Sequence, residues 1–354
     1  MNEPKKAMSE GLPTRHELSE LGEFGLIDRI RQKARLKVPN VLKGIGDDAA
    51  VWDVGDHYQL LSTDLLVEGV HFDLAYTPLQ HLGYKAVAVN VSDIAAMNGT
   101  PTHIVVGLAL SNRFSVEAVD ALYSGIHAAC EAYQVDLVGG DTSSSAGGLV
   151  ISVSVVGRVE EHRVAYRSGL CPNDILCVTG DLGAAFAGLQ VLQREKEVFL
   201  ANPNSQPDLE KYEYCVGRQL KPEARMDIIH ELDDRKLVPT SMIDVSDGLA
   251  SELMHLSTQS NMGIKIFEDK IPIDHQTYDI ALEFKLDPVT FALNGGEDYE
   301  LLFSIRQSDF EKIKNHPDIH FIGHALAQSD QRVMVTKGGI EIPLQAQGWT
   351  HFQK

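Results

Sequence analysis

The sequence predicts a mixed α and β protein of two domains, and three observations carry that prediction. The chain has 354 residues, more than one domain of ordinary size needs. Apolar strand-like runs alternate with helix-period segments through the first half. A new strand and a glycine-rich strand-to-helix junction then begin in "RSGLCPNDILCVTGDLG" (167–183), where Pro172-Asn173-Asp174 makes a turn.

Taken in order, residues 1–21 are polar and aperiodic and read as a mobile N-terminal extension. GEFGLIDRIRQKA (22–34) follows as a short amphipathic helix. YQLLSTD (58–64) reads as a strand. Residues 78–99 show helical spacing of Leu79, Leu82, Ala86 and Val89 and end at Asn98-Gly99, a C-terminal helix signal. Strands are expected at 103–111, 135–141 and 147–159, with a helix over 115–133 capped by Ser115. This gives an N-terminal α/β domain over 22–164. The C-terminal domain, 165–354, reads as α+β: a helix from 184, a polar loop at 201–211, strands at 240–245, 263–269 and 299–305, and a hairpin around Lys337-Gly338-Gly339.

Composition narrows the function. Hydrophobic residues make up 44% and charged residues 23%, enough for a packed core. Four cysteines form no C-x-x-C pair, so reduced thiols are expected. No apolar stretch is long enough to span a membrane, and the N-terminus has no signal-peptide core, so a cytoplasmic protein is expected. The net charge of −19 argues against nucleic-acid binding, which needs cationic side chains. Residues 1–43 carry nine Lys/Arg against six Asp/Glu, so the rest of the chain is more acidic still. A phosphorylated substrate would be repelled unless divalent metal ions stood in between.

The acids are not scattered. YQLLSTD stops at Asp64, VDLVGGD at Asp141, and SMIDVSD carries Asp244 and Asp247; in α/β proteins ligands gather beyond such strand ends. Asp93 lies on a helix too apolar to be fully exposed, and Asp47 and Asp48 stand together in GIGDDAAVW (44–52). No Lys or Arg occurs between Lys43 and Lys85, a stretch holding seven Asp or Glu. Any one of these acids could be a cap or turn former. Together they outnumber the available cations, and hard oxygen ligands at this density suit Mg²⁺. Gly44-x-Gly46-x-x-Ala49 with Asp64 imitates a dinucleotide-binding fingerprint, but Asp47 and Asp48 would face the pyrophosphate and no room is left for the helix. There is no P-loop sequence.

GIGDDAAV (44–51), STDLLVEGVHF (62–72), AVNVSDIAAMNGTP (88–101), LVGGDT (137–142), IDVSDG (243–248) and GGEDYEL (295–301), in this order, resemble the thiamine-monophosphate kinase family, over about Gly22 to Phe352. That family is shared with phosphoribosylformylglycinamidine cyclo-ligase and selenophosphate synthetase; the latter is disfavoured because the first cysteine here is Cys130. The resemblance implies an N-terminal ATP-binding and dimerisation domain, a homodimer, and transfer of the γ-phosphoryl of ATP to thiamine monophosphate. It implies that Asp48, Ser62, Thr63, Asp64, Asp93, Asp141, Asp244 and Asp247 hold several Mg²⁺ ions around the triphosphate. Tyr123, Gly140, Arg167 and Ser246 would contact ATP, with Arg163 an alternative to Arg167, and His71, Glu297 and Trp349 would face thiamine monophosphate. Asp47 is either a ligand or an outer partner of one. The attacking phosphate oxygen, with a second pKa of about 6, needs no general base, so direct in-line transfer is expected.

Overall fold

The computed structural model describes residues 18–204 and 206–346. The expected extension, 1–21, therefore lies mostly outside the described residues, and Trp349 lies wholly outside them. Helix α1 (Leu18–Lys33) is kinked at Gly22, where φ is 65°. It falls outside the large compact unit of the chain, Val38–Trp349, to which all the remaining elements belong.

The first sheet is built from β1 (Val41–Lys43), β2 (Ala50–Asp53), β3 (Tyr58–Val67), β4 (Thr100–Leu110), β5 (Asp136–Ser144) and β6 (Val150–Val159), in the order β1-β2-β3-β6-β4-β5. Only β4 and β5 run parallel. Helices α2 (Leu79–Ala96) and α3 (Val116–Tyr133) lie where the spacing predicts them. Ser115 caps α3 by accepting from the Ala118 N–H at 3.3 Å, and Asn98, at φ 56°, turns the chain after α2. The β1–β2 pair, absent from the sequence reading, brackets the 44–49 turn and so fixes Asp47 and Asp48.

A helix that is apolar all round must be covered all round. Helix α2 is buried along most of its length. It touches β3, β4 and β6 of its own sheet, packs against α3, and meets β8, α5 and α6 of the second domain, whose ranges follow. Its crossing with α3 is close because both helices offer glycine there. A Cβ on Gly125 would sit 1.8 Å from the Gln80 carbonyl oxygen, and one on Gly83 would sit 2.0 Å from that of Leu122.

The second domain contributes β7 (Ile175–Thr179), α4 (Ala184–Ala201), α5 (Glu213–Leu220), α6 (Met226–Asp234), β8 (Ser241–Asp244), α7 (Leu249–Ser260), β9 (Gly263–Phe267), α8 (His275–Glu283), α9 (Pro288–Asn294), β10 (Leu301–Ile305), α10 (Phe310–Ile313), β11 (Ile319–Leu326), β12 (Arg332–Val335) and β13 (Glu341–Pro343). Its seven strands run β13-β12-β9-β11-β7-β10-β8, and the expected hairpin joins β12 to β13. Strand β11 was not legible, because His320, Gly323 and His324 interrupt its apolar run. One core runs from Val51, Leu60 and Val155 of the first sheet to Cys177, Met242 and Phe303 of the second. Among the described residues no helix is long and apolar enough to cross a membrane.

Candidate active site

Strand β3 alternates its side chains across the sheet. Ser62 and Asp64 face α2: the Ser62 hydroxyl donates to Asp93 Oδ2, and the Asp64 N–H donates to Asn90 Oδ1 at 3.1 Å. Thr63 faces the other way, donating to the Val153 carbonyl at 3.0 Å and accepting from Ser154 at 2.9 Å.

Asp48, Asp93 and Asp244 converge, each with an oxygen within 4.8 Å of the others. Three elements supply them: the β1–β2 turn, the C-terminal part of α2 and the end of β8. Ser92 donates to Asp244 Oδ2 at 2.6 Å. The Arg167 guanidinium grips Asp48 Oδ1 with Nε at 3.1 Å and Nη2 at 2.6 Å. Asp48 Oδ2 is buried with no hydrogen-bond partner among the described residues. Asp47 turns elsewhere, to Lys43 at 2.8 Å and to the Arg167 N–H at 3.0 Å, as an outer partner would.

A cavity of about 120 Å³ opens beside the cluster, lined by Asp64, His71, Val89, Asp93, Asp244, Ser246, Glu297 and Tyr299. At an effective dielectric constant of 20, two like charges 4 Å apart repel by about 4 kcal/mol, and among the described residues the Arg167 guanidinium on Asp48 and the Lys85 ammonium on Glu297 are too few to offset these acids. Burial, reinforced by Glu297 and Asp48, pushes Asp64 up to about 6. Burial and Asp48 push Asp244 up to about 7, although the Ser92 hydroxyl opposes the rise. Asp93 is raised well above its ordinary value by burial and by Asp64, Asp244 and Asp48. Oxygen-only donors, an orphaned buried carboxylate oxygen and a deficit of cations together fit a hard divalent cation.

His71 Nδ1 accepts from the Val67 N–H at 3.0 Å, so the neutral ring carries its proton on Nε2. Asp247 follows β8, and its N–H donates to Glu252 Oε1 at 2.9 Å. Glu252, on α7, is buried and raised well above the ordinary carboxylate range by burial and by Asp247. The Ser246 carbonyl accepts from the Glu297 N–H at 2.7 Å. Arg163, the alternative to Arg167, has its Nη1 2.5 Å from Asp233 and is not among the residues lining the cavity.

Besides Thr63, three expected residues lie apart from the cluster. Asp141 and Gly140 are exposed on the edge strand β5. The register rows Asp64, Val153, Val106, Gly140 and Leu65, Ser152, Gly107, Asp141 cross β3, β6, β4 and β5. Three strand spacings therefore put Asp141 roughly 14 Å from β3, on the face turned from α2. Tyr123 lies half-buried on α3, its ring 6.2 Å from that of His127, and does not line the cavity.

The N-terminal-domain model of AIR synthase related proteins matches residues 46–159. Thiamine-monophosphate kinase of Bacillus subtilis (strain 168) is 34% identical over 94% of this chain and 100% of its own length. That of Aquifex aeolicus (strain VF5) is 36% identical over 95% and 99%. The chain belongs to the thiamine-monophosphate kinase family. It is thus a kinase by family. The solved structure described as AaThiL complexed with AMPPCP and TMP aligns with TM-score 0.81 and 34% identity, covering 96% of this chain and 99% of that one. A hydrogenase maturation protein HypE complexed with ATP shares the fold alone, at TM-score 0.65 and 18% identity.

Two further residues that orient the site's acids were not among the candidates read from the sequence. Asn90 sits on α2 between Val89 and Val91, and Ser92 between Val91 and Asp93; the polar residues of AVNVSD within an otherwise apolar helix were the available signal. Of the three acids in GGEDYEL only Glu297 lines the cavity, together with Tyr299. Asp298 accepts from the Gly183 and Ala185 N–H groups at 2.7 and 3.3 Å, closing the N-terminus of α4. Glu300 is held by Thr179, Arg218 and Arg225.

Proposed function

We propose that the protein transfers the γ-phosphoryl group of ATP to thiamine monophosphate, giving thiamine diphosphate and ADP by direct in-line attack. The observation that carries the reading is the trio Asp48, Asp93 and Asp244, of which Asp48 and Asp244 are buried and Asp48 Oδ2 has no partner among the described residues, beside a cavity that Asp64, Ser246, His71 and Glu297 also line. The related structure with AMPPCP and TMP supports the choice of both substrates.

Mg²⁺ would be held by Asp48, Asp64, Asp93 and Asp244, with Ser62 and Asp247 beside them, and would offset the charge of the two approaching phosphates. Arg167 keeps Asp48 aimed at the cluster, and Ser62 and Ser92 orient Asp93 and Asp244. His71 offers an Nε2–H donor to the acceptor substrate, and Glu297 a carboxylate to its cationic thiamine moiety. No side chain needs to take a proton from the nucleophile, because a phosphate monoester is largely dianionic near neutral pH. What remains is alignment and charge compensation.

The remaining assignments require a second copy of the chain. Leu61, Leu65 and Val105 are exposed around Thr63 and Ser154 on the face of the first sheet turned from α2, and exposed apolar side chains on an uncovered sheet face suit a protein partner. We place the homodimer interface there, with Thr63 and Asp141 on that face and Gly140 beside Asp141 on the exposed edge strand to serve nucleotide and metal, and Tyr123 as an ATP contact. The division between the domains falls near residue 165, in the segment joining β6 to β7.

Incubation with ATP, Mg²⁺ and thiamine monophosphate should yield ADP only when all three are present. Equal ADP release without thiamine monophosphate, or turnover that survives exhaustive chelation, would sink the reading.

A further inference from the structure

Helix α2 carries a single Lys or Arg, Lys85, and it is buried, with a side chain only 3% exposed. Its ammonium donates to Glu297 Oε2 and, at 3.1 Å, to the Gln219 carbonyl. Gln219 Nε2 reaches the same Oε2 at 3.3 Å. The other oxygen, Oε1, receives the Tyr299 hydroxyl at 3.4 Å, a long contact. One carboxylate oxygen is thus anchored by two donors while its twin is left lightly engaged at the cavity.

Burying a lysine is costly, and an apolar residue of similar volume would usually stabilise such a position as well or better. The backbone at Glu297 is costly too. Gly296, Glu297 and Tyr299 lie at φ 70°, 62° and 53°, and left-handed conformations at non-glycine residues cost about 1–3 kcal/mol each. Hydrogen bonds from the Glu297 N–H to Ser246 and from the Tyr299 N–H to Val245, at 2.7 and 2.9 Å, hold the segment there. Lys85 also shares a helix face with Val89 and Asp93, both of which line the cavity, at spacings of four and eight residues. The rise of an α-helix sets Lys85 and Asp93 about 12 Å apart along the axis. The carboxylate cluster is at one end of that face and the Lys85–Glu297 pair at the other.

We propose that Lys85 is a positioning residue for the organic part of the substrate. By tying down Oε2 it presents Glu297 Oε1 to a positively charged heteroaromatic ring whose phosphate lies at the acid end. The inference rests on the kinase reading above, and on Glu297 facing the thiamine moiety.

The test compares wild type, Lys85→Met, Glu297→Gln and the double variant in steady-state kinetics with both substrates varied. Lys85→Met should raise KM for thiamine monophosphate about tenfold while kcat and KM for ATP stay within about twofold, the pattern of lost substrate positioning. In the Glu297→Gln background the same substitution should change KM less than about twofold, because its effect passes through that carboxylate. Tyr84→Phe, which removes a buried hydroxyl bonded to Glu223 on the same helix, should leave KM for thiamine monophosphate unchanged. Should Lys85→Met prove insoluble, Lys85→Gln takes its place. An unchanged KM in the single variant, or effects that multiply in the double variant, would overturn the proposal while leaving the kinase reading intact. Absence of turnover by wild type would overturn both.

Discussion

The two sides of β3 carry similar residues with opposite surroundings. Toward α2, Ser62 and Asp64 meet a wall of carboxylates that burial has left short of cations. Away from α2, Leu61, Thr63 and Leu65 lie open on the outer face, in line with the exposed edge that carries Asp141. The same chemical types therefore have different energetic standing. A buried acid among acids is pushed toward its neutral form and gains most from a divalent cation. An exposed acid on a sheet edge is solvated and acquires a special role only if something covers it.

Substitutions can break this comparison. The largest expected effect is on the buried side: Asp93→Asn should lower turnover roughly 100-fold or more in the coupled ADP assay, the scale of losing a group that organises charge around a transferring phosphoryl. The fold should persist, since the change removes charge at nearly constant shape. Activity within a few fold of wild type would show that the cluster is not the reaction centre. On the outer side, Val105→Glu puts a charge in the middle of the proposed interface. Sedimentation should show a shift from dimer to monomer and turnover should drop about tenfold, as expected when a charge is buried without a partner. A monomer with full activity would confine the chemistry to one chain.

The smallest effect sharpens the contrast through pH. Asp64 and Asp244 are raised to about 6 and about 7 from the ordinary value of 3.8. Carboxyls raised on folding favour the folded chain while protonated, so their contribution is present below about pH 4 and lost as pH climbs through those values. The Tm of chelator-treated protein should therefore fall between about pH 4 and pH 8, by a few degrees, and Mg²⁺ should restore most of it at the upper end. Asp244→Asn should flatten the fall, whereas Thr63→Val, on the outer side, should leave it as in wild type.

Much of the site could be read from the sequence. Asp64 and Asp244 were recognisable as carboxylates on apolar strands, Asp93 as one on an apolar helix and Asp48 as one of an adjacent pair in a small-residue run, and the structure draws them to one cavity or cluster. The alternation of β3 also separates Ser62 and Asp64 from Thr63, although the sequence reading grouped all three. Asp141 could not be placed, because its distance from Asp64 depends on β6 and β4 lying between them, and strand order is set by contacts remote in sequence. Lys85 escaped notice for a different reason. A lone lysine in KAVAVNVS looks like a solvated helix position until the second domain is packed against it, and its partners Gln219 and Glu297 lie more than a hundred residues away. The domain-spanning core has the same non-local origin.

The glycine crossing of α2 and α3 bears on catalysis without touching it. Gly83 is two residues from Lys85 and ten from Asp93, on a rod that serves both ends of the cavity. A methyl group added at Gly83 or Gly125 would pry the two helices apart, and the whole rod would tilt, carrying the ammonium and the carboxylate out of alignment together. Alanine at either glycine should thus behave as a defect of aim, impairing both ends of the proposed site at once although neither side chain reaches them.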